Sequence, residues 1–181
     1  MHSLFVAFDL PDWLAEQLLA AMGGVAGARW QRADQLHLTL RYIGKANSRT
    51  CDDVISALSA LDFPPVTARL SGVGRFEEKR GGTALWAGVA PHDALAAMHR
   101  KIDQAMIRIG LAAEARAYLP HITVARLPRR HGDTSDWLAR RAGLESEPIS
   151  FATLTLYDSL RGNDGSHYEP LARWLCKARG D

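Results

Sequence analysis

"LPHITVARL", Leu119–Leu127, sets a histidine, a threonine and an arginine into an otherwise apolar run, and "LHLTLRYIG", Leu36–Gly44, does nearly the same earlier in the chain. In a β-strand, residues i and i+2 share a face and i+1 and i+3 take the other. His121 and Thr123 therefore project together while Ile122 and Val124 anchor the reverse side. The same arithmetic pairs His37 with Thr39 over Leu38 and Leu40. Arg126, five positions after His121, has the opposite parity on an ideal strand. Its approach to the same face requires twist, a bulge or its own reach.

Working outward, each copy lies at a corresponding place in a repeated order. Ser3–Asp9 reads as a buried strand, and Pro11 opens a helix running to Met22 with Gly23 and Gly24 as its stop. A short strand at "ARWQ", the polar turn "RADQ" and the strand "LHLTLRYI" follow. The stretch from Ser48 has helical spacing in Val54, Leu58 and Leu61 and ends at "FPP". Val66–Phe76 alternates as a strand.

In the second half, Thr83–Ala90 is a strand and Pro91 opens an amphipathic helix with Leu95, Met98, Ile102, Met106 and Ile109 on one face, stopped at Gly110. Then come "HITVARL", a short helix near "DTSDWLARRAG", a strand over "ISFATLTLYDS", a loop "LRGNDGS" and a closing strand "HYEPLARWL". This order predicts an α+β protein of two pseudo-symmetric lobes, each a mainly antiparallel sheet with outer helices, around a central cleft. No linker of distinct composition separates the repeat units, 3–76 and 83–175, so residues 1–181 are expected to form a single bilobal domain.

Composition narrows the function. The chain has 181 residues, 47% of them apolar, which is enough for a substantial core and excludes a disordered class. Its 22 basic residues nearly balance 20 acidic ones, leaving +2, so a broad polyanion-binding surface is not indicated, although "RLPRRH" and "LARRAG" are locally cationic. The two cysteines, Cys51 and Cys176, stand in neither disulfide nor zinc spacing. The opening "MHSLFVAFDLP" lacks a positive n-region, and no apolar run reaches the ~18 residues of a membrane span. A cytoplasmic protein without membrane contact is expected.

Two facing imidazoles suit acid–base chemistry, because a pKa about 6.5 lets one ring be neutral while the other is protonated near neutral pH. The neutral ring takes a proton from a nucleophile and the charged ring gives one to a leaving oxygen. Threonine hydroxyls can donate to an anionic centre and Arg126 can offset its charge. The set fits hydrolysis or formation of a phosphodiester. Zinc would need a third and fourth ligand, and neither motif has a Cys, Asp or Glu at short spacing. There is no Gly-x-Ser-x-Gly elbow, and "GVGRFEEKRGG" lacks the Lys-Ser/Thr ending of a P-loop and reads as a hairpin loop. Of the remaining histidines, His2, His92, His99 and His131 lie in terminal, helical or loop contexts and are expected at the surface. Phe5, Trp30, Tyr42 and Trp86 are core residues by default, with a base-stacking platform as the alternative.

Together "LFVAFDLP", the HLTL and HITV motifs, "LWAGV", "LPHITVAR" and "LTLYDSLRG…YEPLARW" resemble the bacterial RNA 2′,3′-cyclic phosphodiesterases, formerly called 2′-5′ RNA ligases, of the two-histidine phosphoesterase superfamily. The resemblance spans nearly the whole chain. It implies opening of an RNA 2′,3′-cyclic phosphate to a 2′-phosphomonoester, with 2′-5′ joining of RNA ends as a secondary reverse activity. By motif position His37 resembles the general acid and His121 the general base, Thr39 and Thr123 the phosphate ligands, and Arg126 the arginine after the second motif. Tyr168 aligns with an aromatic position near the cleft. The expected partner is an RNA with a cyclic phosphate end, and the protein is expected to be a monomer that uses no cofactor and no metal. Two alternatives remain: a non-catalytic RNA-end or nucleotide-binding module, and a phosphodiesterase for a small cyclic nucleotide phosphate.

Overall fold

A computed structural model describes residues 1–78, 81–162 and 165–177. Its elements are β1 (His2–Asp9), α1 (Asp12–Ala21), β2 (Arg29–Trp30), a 3-10 turn (Ala33–Gln35), β3 (His37–Ala46), α2 (Ser48–Ser59), β4 (Val66–Glu77), β5 (Thr83–Ala90), α3 (Asp93–Arg108), β6 (His121–Leu127), α4 (Ser135–Arg141), β7 (Ile149–Phe151), β8 (Thr153–Gly162) and β9 (Gly165–Leu175). The fold is α+β. One sheet has the order β3-β1-β8-β9 and the other β2-β6-β5-β4-β7, and every paired strand is antiparallel.

Each sheet draws strands from both halves of the chain. β4 crosses over to pair with β5, and β8 returns to pair with β1. The stretch read as one strand, "ISFATLTLYDS", is therefore two. It breaks at Ala152, so that β7 finishes the second sheet beside β4 while β8 enters the first. The apolar alternation slips by one residue at Ala152, and each piece buries its own apolar members, Ile149 and Phe151 on one side and Leu154 and Leu156 on the other.

The expected loop "LRGNDGS" is also mostly strand: β8 runs to Gly162 and β9 starts at Gly165, with Asn163 and Asp164 of "GNDG" outside the described residues. Likewise β4 extends through Glu77, and the hairpin that follows is tied by Glu78 N–H to the Gly82 carbonyl at 2.7 Å.

The core lies between the sheets' outer faces and their helices. Leu4, Val6 and Phe8 of β1 are fully buried beside Leu38 and Leu40 of β3. α2 and α3 pack on that sheet. Behind the second sheet, α4 lies against β4 and is joined to α1 through the indole N–H of Trp137, which donates to the Ala21 carbonyl at 3.0 Å. The predicted apolar face of α3 is present, with Leu95, Met98, Ile102 and Met106 buried, and Gly110 takes a φ of 88° just past its end, the left-handed conformation that suits a glycine stop. Among the described residues no helix is long and apolar enough to cross a membrane.

β3 is an edge strand of the first sheet and lies against β6 of the second, so the two motifs meet where the lobes meet. On β5, Gly88 is the register partner of His121. A Cβ there would lie 2.4 Å from the Ser71 carbonyl oxygen. Gly88→Ala must therefore push β4 away from β5, and we expect a loss of about 1–3 kcal/mol in urea unfolding. An unchanged midpoint would show that the strands have slack at this point.

Candidate active site

The strand alternation places both motifs as the spacing requires. His37, Thr39, His121 and Thr123 are half-buried on the cleft faces, while Leu38, Leu40, Ile122 and Val124 are buried beneath. Both motifs then change parity at their fourth residue. On β6, Thr123 pairs with Trp86 and Ala125 with Leu85, so Val124 is an extra residue opposite a single step of β5. On β3, Thr39 pairs with Ala7 and Arg41 with Val6, making Leu40 the extra residue. These are β-bulges at equivalent positions.

The bulge at Val124 turns Arg126 to the cleft face and buries Ala125. That at Leu40 turns Tyr42 outward, 54% exposed, and sends Arg41 inward to 6%. There Arg41 donates to Asp103 of α3 at 2.7 Å and contacts Glu114 at 3.3 Å. It also bonds the carbonyls of Tyr42 and Ala112.

A bulge leaves backbone groups without a ladder partner, and a buried carbonyl needs one. The Thr39 carbonyl accepts from the Tyr118 hydroxyl at 3.2 Å and the Leu40 carbonyl accepts from His99 Nδ1 at 2.6 Å. The two rings stack face to face, 4.4 Å apart and 2° from parallel. His99 is thus buried, not a surface histidine, because the bulged carbonyl supplies the partner its helix position lacks. His2 and His131 are half-buried and also bonded, to Asp158 at 2.8 Å and to the Thr83 hydroxyl at 3.1 Å. His92 is exposed as expected, and His167 is exposed too.

Each motif histidine is held in the same way. His37 Nδ1 lies 2.8 Å from the Gln35 carbonyl and His121 Nδ1 lies 2.7 Å from the Leu119 carbonyl, in both cases two residues upstream. A carbonyl can only accept, so Nδ1 carries the proton and Nε2 is left for the cleft. Gln35 is itself fixed: its side chain accepts from the Arg32 N–H at 2.9 Å and donates to the Ser166 carbonyl at 2.7 Å. The polar turn "RADQ" is thereby a mount for His37.

Aromatic walls complete the mounts. The His37 ring lies 4.7 Å from Phe5 and 5.0 Å, edge-on, from Tyr168. Phe5 in turn stacks on Tyr157. His121 meets Phe76 edge-on at 4.9 Å and Trp86 at 6.0 Å. Tyr168 is therefore a neighbour of His37, while Trp30 packs away from the cleft on Trp137. The four aromatics named from the sequence form no single platform. Phe5 and Trp86 serve opposite histidines and Tyr42 stands apart.

This burial sets the electrostatics. His37 is pushed down to about 4 from the ordinary 6.5, first by desolvation and then by the positive charges of Arg126 and His121, against the opposing pull of the Gln35 carbonyl. His121 is lowered too, by desolvation and by Arg126, with the Leu119 carbonyl opposing. The guanidinium of Arg126 thus acts on both rings. It is also bonded to Glu78 at 2.6 Å in an exposed pair.

Two lobes, each bringing one His-x-Thr pair to a shared cleft, define a two-histidine phosphoesterase fold. The chain belongs to the 2′-5′ RNA ligase superfamily, whose family model matches residues 8–162. Among similar proteins, an RNA 2′,3′-cyclic phosphodiesterase of Archaeoglobus fulgidus is 26% identical over 146 residues, covering 79% of this chain and 82% of the relative. One of Thermotoga maritima is 25% identical over 184 residues, covering 97% and 95%. Escherichia coli LigT, crystallised with 3′-AMP, superposes with a TM-score of 0.75 at 23% identity over 98% of this chain and 99% of its own.

The lowered His37 pKa has a consequence for stability. Between pH 6.5 and about 4 the unfolded chain binds a proton at this residue that the folded protein refuses. Stability is then lost as pH falls through that window and the contribution is flat on either side. His37→Asn, which cannot titrate, should show a shallower decline in urea midpoint from pH 7 to 4 than the wild type. Parallel declines would mean that His37 titrates normally.

Proposed function

We propose that this protein hydrolyses RNA 2′,3′-cyclic phosphate ends to 2′-phosphomonoesters through His37 and His121, without a metal. The observation that carries the reading is the matched anchoring of both Nδ1 atoms, which leaves two Nε2 atoms for one substrate. The shared name of the relatives, RNA 2′,3′-cyclic phosphodiesterase, supplies the substrate class.

In this mechanism His121 Nε2 takes a proton from water as the water oxygen bonds to phosphorus. His37 Nε2 gives a proton to the 3′ oxygen as its bond to phosphorus breaks. Water is added overall, and each ring ends in the other's starting state until solvent restores both. The Thr39 and Thr123 hydroxyls donate to the non-bridging oxygens and Arg126 offsets the charge that builds there. Tyr168 holds the acid's ring edge-on. The reverse reaction, attack of an RNA hydroxyl on the cyclic phosphate to give a 2′-5′ link, follows on the same groups by microscopic reversibility.

The acid must enter the reaction protonated, yet in the free protein it holds its proton only below about pH 4. A bound phosphate anion between the rings favours their charged forms and raises both values. The pH dependence of kcat/KM reports the free protein and that of kcat the complex. The kcat/KM profile should therefore peak on the acid side of the kcat profile. Coincident peaks would remove the phosphate from this role.

His37→Ala and His121→Ala, assayed on an RNA ending in a 2′,3′-cyclic phosphate, should each lose roughly 10²-fold or more in kcat with the fold retained. A chelator should leave the wild-type rate unchanged. A folded His121→Ala protein of near-normal rate would overturn the mechanism, and wild-type binding without product would mark a binding module.

A further inference from the structure

The edge of the second sheet contains an electrostatic conflict that the fold does not require. β2 consists only of Arg29 and Trp30, paired with Arg126 and Ala125 of β6. Trp30 packs outward on Trp137 of α4. Because successive strand residues take opposite faces, Arg29 stands on the cleft face beside Arg126, with Cβ atoms about 5 Å apart.

Like charges directly opposite in a sheet are destabilising. Glu78 bonds Arg126, but among the described residues no carboxylate pairs with Arg29. Both arginines are exposed, as are Arg129 and Arg130 just beyond β6. The row across the sheet, Phe76, Ala84, Arg126, Arg29, thus leads from the wall of His121 to an edge of uncompensated positive charge.

An anion between the two guanidiniums would convert this repulsion into attraction. We propose that Arg29 and Arg126 bind successive phosphates of a single RNA strand entering the cleft: Arg126 serves the reacting cyclic phosphate, and Arg29, one strand further out, serves the phosphodiester that links the terminal nucleotide to its 5′ neighbour. The assignment rests on the RNA reading above and extends it. A cyclic mononucleotide lacks the second phosphate, so the pair makes the protein selective for the end of a chain over a free nucleotide.

The test compares a short oligoribonucleotide ending in a 2′,3′-cyclic phosphate with the matching 2′,3′-cyclic mononucleotide. Arg29→Ala should raise KM for the oligonucleotide several-fold more than for the mononucleotide, and Arg29→Glu should widen the gap. The slope of log KM against log salt on the oligonucleotide should fall by about 0.7 in Arg29→Ala, the increment for one contact to a single-strand phosphate. In urea, the same variant should unfold no earlier than wild type, since it loses only a like-charge neighbour. Equal changes in KM on both substrates, or an unaltered salt slope, would overturn the assignment. Turnover of neither substrate by the wild type would instead bring down the RNA reading, and this pair with it.

Discussion

The bulge at the fourth residue of each motif is the constraint on which the rest of the site depends. On a regular strand, Arg126 would point into the core and Ala125 into the cleft. One extra residue at Val124 exchanges them. The equivalent exchange at Leu40 drives Arg41 beneath its strand. A guanidinium forced inside must be paired, and Asp103 and Glu114 supply that pairing from α3 and from the segment entering β6. One local irregularity thereby determines what the cleft displays and what must lie behind it.

The bulge also ties the lobes together. It exposes the carbonyls of Thr39 and Leu40, and the groups that satisfy them come from the chain that leads to the second motif. Tyr118 bonds the Thr39 carbonyl, and its neighbour Leu119 holds His121. A displacement of β3 would thus reach His121 through two hydrogen bonds and one peptide unit. Hydrogen bonds of this kind contribute about 0.5–1.5 kcal/mol each when made, and the cost of leaving a buried carbonyl unpaired is larger still. By comparison, the Arg126–Glu78 pair is solvent-exposed, and such pairs contribute between about 0 and 1 kcal/mol. The first arrangement fixes geometry, while the second is weak enough to exchange partners.

Much of this was legible in the sequence because period-2 patterning records which face is buried. The strands and the positions of His37, Thr39, His121 and Thr123 follow from it, and the helices follow from the 3.6-residue spacing of their apolar residues. The pattern is silent about which sheet a strand joins, so "ISFATLTLYDS" reads as one strand although Ala152 divides it between two. It is equally silent about bulges. The parity of Arg126 signalled that one was needed, whereas nothing comparable marked Leu40, since both Arg41 and Tyr42 are plausible on either face. His99 and the turn at Gln35 escaped notice because their role lies in backbone carbonyls, which carry no residue signature.

The electrostatics explain why such a site should carry an arginine at all. Two half-buried imidazoles already resist protonation through desolvation, and Arg126 lowers both further. Taken alone this opposes the proposed mechanism, in which one ring acts as an acid. Under the proposed mechanism an anionic phosphate bound between the rings would offset the guanidinium and shift both rings toward the imidazolium. Protonation of the acid then becomes conditional on occupancy. In the proposed mechanism a ring kept neutral until the substrate's own charge arrives is protonated only in the complex where it has a leaving oxygen to meet: desolvation first, and Arg126 after it, hold the ring neutral beforehand, and the charge of the phosphate supplies the difference between the two states.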